Sequence, residues 1–230
     1  MPFVDSLKFV GDKMIAVIGG TGAQGRGLAM RWAIAGEDVI IGSRWSEKAE
    51  KAAAEMSKQV RKKIRGMSNL EATRAADVVV LSVPFEAMKE IVGEVAPALT
   101  AGKILLSVVV PIKFKGDIVS VELSEAGSAA EEMEKLTPHG VKLVSAFQTV
   151  GAARLQALKK PIECDIVVCG DDGKAKRVVM KLAEKIQGVR AIDGGPLCNS
   201  RLVEPVVALL VELTRRKKVP GVSIRFEGLD

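Results

Sequence analysis

Short runs of apolar residues recur along the chain, and most of them show no polar alternation. Such runs are typical of strands that are buried on both faces of a parallel sheet. They predict strands at Met14–Ile18, Asp38–Ile41, Asp77–Val83, Lys103–Val110, Val141–Phe147, Cys164–Cys169 and Val189–Ile192. Several are separated by helical stretches, at Gly25–Ala35, Glu47–Lys62, Phe85–Ala96 and Lys174–Ile186. This alternation predicts a doubly wound α/β fold with a mainly parallel sheet.

The last third of the chain is less regular. It predicts a helix at Arg201–Lys217, in which Pro205 is expected to shift or kink the first turn, and a closing strand in "GVSIRF". One face of this helix is apolar: Val203, Val206, Val207, Leu210 and Leu213. That face either packs against the core or closes a subunit interface.

The bulk composition limits the classes of function. The chain has 230 residues, of which 48% are hydrophobic, which suits one large domain or a domain with a small appendage. No apolar run reaches the roughly 18–20 residues that span a bilayer, and the N-terminus lacks the pattern of a signal peptide. We therefore expect a cytoplasmic protein without a membrane partner.

The net charge of +6 has two interpretations. It is either a generally basic surface or an adaptation to a polyanionic small molecule, whose local concentration a positive field raises. Nucleic acid is not expected as a partner, because the chain has only 3% aromatic residues, no tyrosine and no arginine-rich arm.

The sequence gives little support for a metal site or for a nucleophilic catalytic residue. The three cysteines form no C-x-x-C pair, and Cys164 and Cys169 are expected to be buried strand thiols. His139 is the single histidine, which disfavours a zinc site and a histidine-based triad. Asp171 and Asp172 precede a helix, where an aspartate is expected as a cap rather than a metal ligand.

Three further features each have a structural and a functional interpretation. Trp32 and Trp45 are expected to pack in the interior rather than to stack on a ligand. In "CNSRLVE", Arg201 could hold an anion, or Asn199 or Ser200 could simply cap a helix.

The stretch "AVIGGTGAQGRGLA", residues 16–29, contains the spacing G-x-G-x-x-G at Gly20, Gly22 and Gly25. It follows a predicted strand and opens a predicted helix, which is the context of a dinucleotide-binding turn. Gly20 then permits the tight turn, Gly22 lets the backbone approach a pyrophosphate, and Gly25 lets helix and strand pack closely. The N–H groups at the start of the helix face the phosphates.

The end of the second predicted strand selects the dinucleotide. NAD sites usually place a carboxylate there, to bind the ribose 2′-hydroxyl. This chain has "IIGSRWSEK", in which Ser43, Arg44 and Lys48 converge without a carboxylate at that place. Arginine and lysine bind phosphate, so the sequence predicts NADP(H).

The third and fourth predicted strands end in apolar residues. Val83, Pro84, Val109 and Val110 are expected to form a shelf for a nicotinamide ring, or else to be ordinary buried strand ends. The sequence offers no acid or base beside this shelf, so we assign no catalytic side chain. Hydride exchange between two heterocycles needs only alignment and exclusion of competing reactions.

Several segments resemble the NADPH-dependent reductases of coenzyme F420, a family of archaeal and actinobacterial enzymes. They are "IGGTGAQGRGLAMRWA", "VIIGSRWSEKAE", "VVVLSVPFEA", "SVVVP", "VSAFQTVGAAR", "VVCGDD" and "GPLCNSRLVE". The resemblance runs from about Met14 to the C-terminus. It implies a Rossmann-type domain with a smaller C-terminal α/β part, and direct hydride transfer from nicotinamide C4 to deazaflavin C5 without a covalent intermediate.

The resemblance also implies roles for individual positions. Thr21, Gly22, Ala23 and Gln24 hold the pyrophosphate, and Ser43, Arg44 and Lys48 hold the 2′-phosphate. Val83, Val110 and Ala152 lie beside the nicotinamide. The deazaflavin is bounded by Val109, Gln148, Leu197 and Asn199, which belong to "SVVVP", to residues 148–152 and to the "GGPLCNSR" loop. Gln148 and Gly151 depart from the family pattern, which often has histidine and proline there, so no proton relay is expected at Gln148.

The expected organisation is an extension over residues 1–12, an NADP-binding domain over 13–155 and a smaller part over 156–230. The resemblance implies a homo-oligomer, a dimer or a tetramer. Two other functions stay open. One is an NADP(H)-dependent reductase of another acceptor, such as an imine, a ketone or a metal chelate, and the other is a non-catalytic NADP(H) sensor.

Overall fold

The computed structural model describes residues 13–116, 118–122 and 124–229, so the predicted N-terminal extension lies outside the described residues. The strands are β1 (Ile15–Ile18), β2 (Val39–Ser43), β3 (Ile64–Ser68), β4 (Val78–Leu81), β5 (Ile104–Ser107), β6 (Ile112–Lys115), β7 (Ile118–Val121), β8 (Lys142–Ser145), β9 (Cys164–Gly170) and β10 (Val189–Asp193). The helices are α1 (Ala23–Ile34), α2 (Ser46–Val60), α3 (Asn69–Ala75), α4 (Phe85–Val95), α5 (Ala129–Leu136), α6 (Ala152–Gln156), α7 (Gly173–Glu184), α8 (Ser200–Val203) and α9 (Val206–Lys217).

One eight-stranded sheet organises the fold, in the order β10-β9-β8-β5-β4-β1-β2-β3. All neighbouring strands in it are parallel except β8 and β9, where Ser145 lies opposite Cys169. The predicted doubly wound, mainly parallel α/β fold is therefore confirmed. The order reverses at β1, so the carboxyl ends of β1, β2 and β4 border the place where such sheets bind ligands.

The helices cover both faces of the sheet and produce two apolar layers. Trp32, whose Nε1 donates to the carbonyl of Leu182 at 2.8 Å, belongs to one layer, and Met88 and Val92 of α4 belong to the other. Cys164 and Cys169 are buried, as predicted, and burial raises the pKa of each thiol to about 11. The predicted cap is also confirmed, since Asp172 accepts from two N–H groups at the start of α7.

Several strands and helices of the structure were not predicted from the sequence. The edge strand β3 has a single buried residue, Ile64, and therefore lacks an apolar run. Helix α3 follows it directly and begins with a capping box between Ser68 and Glu71, which was visible in the sequence as S-x-x-E. The hairpin β6–β7 and the short helices α5 and α6 were not predicted either.

Two predictions at the C-terminus need correction or refinement. The chain breaks between α8 and α9 at Pro205, as expected of a residue that has no N–H to donate. The predicted strand "GVSIRF" is wrong, because residues 221–226 form no strand. The N–H of Asp165 donates to the Ile224 carbonyl at 2.8 Å, but the Phe226 N–H donates to the Asp165 carboxylate at 2.6 Å, which ends the ladder.

Among the described residues, no helix combines the length and apolar character that crossing a bilayer requires.

Candidate functional site

The glycine-rich turn joins β1 to α1 by a backbone path that glycine makes possible. Gly19 has a φ of +79°, and a Cβ on it would lie 2.2 Å from the Ser82 carbonyl oxygen. A Cβ on Gly25 would lie 2.8 Å from the carbonyl oxygen of Gly19. The left-handed residue of the turn is therefore Gly19, which sequence reasoning did not single out, while Gly25 permits the expected close packing.

Gly22 differs from its neighbours in what surrounds it. A Cβ on Gly22 would meet only the Gly19 carbonyl oxygen, at 3.3 Å, a close contact that a shift of a few tenths of an ångström would relieve. Gly22 is also the N-cap of α1, and no side chain caps the helix or places a carboxylate in its first turn. The space above Gly22 and the N–H groups at the start of α1 thus fit an anion such as a pyrophosphate.

The basic cavity lies on one side of this turn and has a volume of about 250 Å³. We use this name for the space bordered by Thr21, Gly22, residues 43–45, Lys48, Asn69 and residues 82–91 of the β4–α4 region. Ser43 ends β2 and is 9% exposed, whereas the Arg44 and Lys48 side chains are exposed at the rim. The predicted 2′-phosphate residues therefore come together around one space.

The charge of Arg44 is only loosely compensated. Its Nη1 lies 3.8 Å from Oε1 of Glu90, and the two side chains are 63% and 71% exposed. An exposed pair of this kind contributes little stability, so the guanidinium can turn towards a phosphate at small cost.

Trp32 and Trp45 lie in different environments. Trp32 is buried and meets Phe147 edge to face, with ring centroids 5.6 Å apart, as expected of a packing residue. Trp45 is 71% exposed and borders the basic cavity, so the prediction that it packs in the interior is wrong. It follows Arg44 at the start of α2, where the chain leaves the sheet and its side chain meets no core.

The apolar cavity lies on the other side of the turn and has a volume of about 410 Å³. Its walls are Gln24, then Val108, Val110 and Ile112 beyond β5, residues 148–153 beyond β8, one face of α9 between Val207 and Arg215, and residues 220–222. Val110, Gln148 and Ala152 meet here, as the sequence predicted. The walls from α9 and residues 220–222 were missed, since an apolar helix face fits core packing equally well.

The predicted apolar shelf is not one surface. Val83 and Pro84 border the basic cavity, and Val110 borders the apolar cavity. Val109 is 1% exposed and packs in the core. The reason is the alternation of side chains in extended backbone, which directs Val109 and Val110 to opposite sides.

The "GGPLCNSR" loop does not border the apolar cavity, contrary to expectation. Leu197 is 2% exposed in the core, and Asn199 donates from Nδ2 to the Gly194 carbonyl at 2.7 Å. Arg201 forms an ion pair with Glu131 rather than serving a separate anion site, and neither Asn199 nor Ser200 caps α8 with its side chain. The loop thus packs against the core and does not line the cavity.

Gln24 borders the apolar cavity and contacts the loop after β8. It was expected to hold the pyrophosphate, but its Nε2 lies 3.2 Å from the carbonyl oxygens of both Phe147 and Val150. Phe147 has a φ of +68°, an unusual conformation for a bulky residue. The Gln24 side chain thus helps to hold the loop after β8, and its backbone N–H remains for a phosphate.

Arg31 fixes the next part of the same wall. Its guanidinium is buried and lies within 3.0 Å of four backbone carbonyl oxygens, those of residues 154, 155, 157 and 160. Burial lowers the pKa of Arg31. Gly27 allows this close contact, since a Cβ on it would lie 2.5 Å from Cβ of Leu155. Helix α1 therefore bears the glycine turn at its start and holds α6 along its side.

Glu204 anchors the wall formed by α9. It is 1% exposed, and its carboxylate accepts from the N–H groups of Ala129 and Ala130 at 2.8 and 3.1 Å. Burial raises the pKa of Glu204 to about 7. A buried carboxyl that titrates near neutrality thus connects α5 to the segment that leads into α9.

Comparison with known proteins identifies the family. Residues 14–111 match the family described as NADP oxidoreductase, coenzyme F420-dependent. The F420-dependent NADP reductase of Methanothermobacter thermautotrophicus is 41% identical over 222 residues, which cover 94% of this chain and 95% of that protein. The enzyme of the same name from Methanocaldococcus jannaschii is also 41% identical, over 94% of this chain and 99% of its own.

This chain belongs to the family of F420-dependent NADP reductases.

A solved structure agrees in fold. The crystal structure of an Arthrobacter sp. FB24 protein, proposed to be an F420-dependent NADP reductase, superposes with a TM-score of 0.80 over 94% of this chain and 99% of that one. Its sequence identity of 23% supports a shared fold and no more.

Proposed function

We propose that this protein is an oxidoreductase that transfers a hydride reversibly between NADP(H) and the deazaflavin coenzyme F420. One observation carries the proposal beyond family membership. The glycine-rich turn separates a basic cavity from an apolar cavity, so one molecule that crosses the turn can place a phosphorylated ribose in the first and a flat ring at the second.

The cofactor half of the proposal is supported by the space above the glycine-rich turn and by the exposed cations at the rim of the basic cavity. Gly20, Gly22 and Gly25, with Thr21, Ala23 and the backbone of Gln24, accommodate the pyrophosphate at the start of α1. Ser43, Arg44 and Lys48 hold the 2′-phosphate. Bound there, NADP(H) supplies the hydride donor or acceptor, and no metal is assigned a part.

The acceptor half is supported by the character of the apolar cavity. Arg215 is the only charged residue among the described residues that border it. Val110 and Ala152 offer apolar surface to a ring. Gln148 is buried, and its Nε2 lies 3.5 Å from the Ser107 carbonyl, at the limit of a hydrogen bond, so the amide can donate to a ring carbonyl instead.

Hydride transfer between two rings does not require an acidic or basic side chain of the protein. The C4–H bond of the reduced nicotinamide breaks as a C5–H bond forms on the deazaflavin, and the electron pair moves with the hydrogen. The protein aligns the rings and excludes water. For this reason no catalytic side chain is assigned, and the walls of the apolar cavity act by position.

Several expectations remain proposals. Exposed apolar residues, among them Phe114, Ile118, Leu202 and Leu209, support a homo-oligomer, and a cytoplasmic location stays a prediction. The division after residue 155 also stays a prediction, although β9 and β10 continue the sheet of the preceding part.

A spectroscopic assay tests the function. Purified protein is mixed with NADPH and oxidised F420, with NADH in a parallel cuvette, and the deazaflavin absorbance is followed. We expect rapid loss of absorbance with NADPH and little with NADH. Binding of NADPH without loss of absorbance would discard F420 as the acceptor and leave another acceptor, or a sensor, in its place.

A further inference from the structure

Asn69 is the one residue bordering the basic cavity whose buried polar atom has no partner. Among the described residues, three buried side-chain atoms lack a hydrogen bond: Asn69 Oδ1, Thr73 Oγ1 and Ser107 Oγ. Asn69 borders the basic cavity, whereas Thr73 and Ser107 border neither cavity. It is only 2% exposed, so bulk water does not compensate its oxygen.

The orientation of the Asn69 amide is set by a neighbour. Its Nδ2 donates to Oε2 of Glu94 at 3.1 Å. Turning the amide over would place Oδ1 against a carboxylate oxygen, and two acceptors repel each other. The carbonyl oxygen is therefore the atom that is left for the cavity.

The oxygen lies over the end of β2. A Cβ added to Gly42 would lie 3.0 Å from Asn69 Oδ1, so the missing side chain at Gly42 makes room for the amide. Gly42 directly precedes Ser43 and Arg44. The unpaired acceptor thus stands beside the group of residues to which the 2′-phosphate is assigned.

We infer that Asn69 Oδ1 binds a hydrogen-bond donor on the adenosine half of NADP(H), an inference that rests on the proposed function. An amide oxygen only accepts, so its partner must bring an N–H or O–H. The phosphates offer none at neutral pH. The donors in this half are the adenine 6-amino group and the ribose hydroxyl, and both share this chemistry. Asn69 is accordingly a cofactor-binding residue that discriminates neither for nor against the 2′-phosphate.

The test is a fluorescence titration with NADPH and with NADH, in the absence of F420. Asn69→Ala is expected to weaken the binding of NADPH and of NADH about 5- to 30-fold, because a buried neutral hydrogen bond to the cofactor is lost. Thr73→Val is the matched control, because it removes an unpaired oxygen from the same helix away from the cavity, and should stay within about twofold of wild type. Thermal unfolding of each variant separates binding from stability.

An NADPH analogue that carries hypoxanthine in place of adenine distinguishes the 6-amino group from the ribose hydroxyl as the partner of Asn69. If the 6-amino group is the partner, wild type discriminates between the analogue and NADPH, and Asn69→Ala does not. If a ribose hydroxyl is the partner, Asn69→Ala loses the same factor with both.

Equal binding by wild type and Asn69→Ala would overturn the inference and leave the proposed function standing. Failure of wild type to bind NADPH at all would instead contradict the proposed function. Should Asn69→Ala not fold, a crystal structure of wild type with NADP⁺ decides the matter. It should place Oδ1 within about 3.2 Å of the amino nitrogen or of a ribose hydroxyl oxygen, and a longer distance to both would overturn the inference.

Discussion

The two cavities beside the glycine-rich turn are built in different ways. The basic cavity is assembled mainly from residues that directly follow β1, β2 and β4, and several of them are polar or charged. The apolar cavity is assembled from segments far apart in the chain, and its walls are held by Gln24 and Arg31 of α1 and by Glu204 in the approach to α9. The basic cavity therefore follows from local sequence motifs, whereas the apolar cavity follows from tertiary packing.

This difference suggests a division of labour. On the proposed function, the basic cavity selects the cofactor through charge, and its backbone is fixed by the central strands. The apolar cavity would select the acceptor through its shape, which depends on distant supports such as Arg31 and Glu204. Changes in one cavity are expected to leave the other largely intact.

The turn between the cavities is the place where a single methyl group should have the largest effect. Gly22→Ala places a Cβ 3.3 Å from the Gly19 carbonyl oxygen, a close contact, so stability should fall by about 1 kcal/mol or less, but the Cβ also occupies the space proposed for the pyrophosphate. NADPH binding should weaken about 100-fold or more. Calorimetric titration and thermal unfolding measure the two effects.

Two other glycines sharpen this prediction. Gly25→Ala forces a Cβ against backbone atoms and should lower stability as well as binding. Gly93→Ala, inside α4, adds a methyl group with nothing within 4 Å, so it should leave binding unchanged and raise stability by about 0.5–1 kcal/mol through helix propensity. A Gly22→Ala protein that still binds NADPH normally would contradict the assignment of the turn.

Within the basic cavity, Arg44→Ala should separate the two nicotinamide cofactors. Loss of a charge-assisted contact to phosphate is expected to weaken NADPH binding about 10- to 100-fold, while NADH binding stays within about twofold. Glu90→Gln is the control, because it removes the carboxylate that now pairs with Arg44 and should leave NADPH binding equal or slightly tighter. Equal losses for NADPH and NADH in Arg44→Ala would refute the 2′-phosphate site.

Support of the apolar cavity is tested by Arg31→Lys. Lysine keeps the charge but lacks the planar fork that reaches several carbonyls, so α6 should loosen. We expect KM for F420 to rise about tenfold and the Kd for NADPH to change little. Arg26→Lys changes a half-buried arginine of the same helix that pairs with Glu55 instead of α6, and should leave both unchanged. A rise in the Kd for NADPH that matches the rise in KM would show that the two cavities are not independent.

The smallest predicted effect is the pH dependence of stability that arises from Glu204. The pKa of Glu204 is raised by burial from 4.5 to about 7, so the folded protein binds this proton more tightly than the unfolded chain. Its contribution to stability is present below pH 4.5 and is lost as the pH rises through about 7. Between pH 6 and pH 8 the free energy of unfolding should fall by about 1 kcal/mol on this account.

Denaturant unfolding of wild type and Glu204→Gln at the two pH values isolates that contribution. The difference in stability between the proteins should change by about 1 kcal/mol across this range. A constant difference would show that Glu204 keeps the same charge throughout.

The contrast between the cavities also explains what the sequence could predict. Strand–helix alternation and the glycine spacing specified the fold and the cradle, because both depend on neighbours in the chain. Ser43, Arg44 and Lys48 converged as expected since they follow one strand end. The sequence did not point to Asn69, because its place at the basic cavity depends on β3 pairing beside β2, although the capping box at Ser68 marks the start of its helix.

Packing decided the rest. Leu197 and Val109 were expected at the acceptor and lie in the core, while Val207 and Leu210 carry an apolar pattern that equally fits a core or a subunit interface. Only the arrangement of α9 against residues 148–153 shows that they border a cavity. Trp45 was misassigned because a tryptophan at a helix start says nothing about what lies opposite it.

The most direct test of the central claim follows the hydrogen itself. NADPH carrying deuterium at C4, prepared separately in each of the two stereochemical positions, is reacted with F420 and the wild-type protein, and the reduced deazaflavin is analysed by mass spectrometry and NMR. We predict that one of the two labelled cofactors delivers its deuterium to C5 without dilution by solvent hydrogen. Bound NADPH that transfers deuterium from neither position, or a label that exchanges with water, would contradict direct transfer between rings held in adjoining cavities.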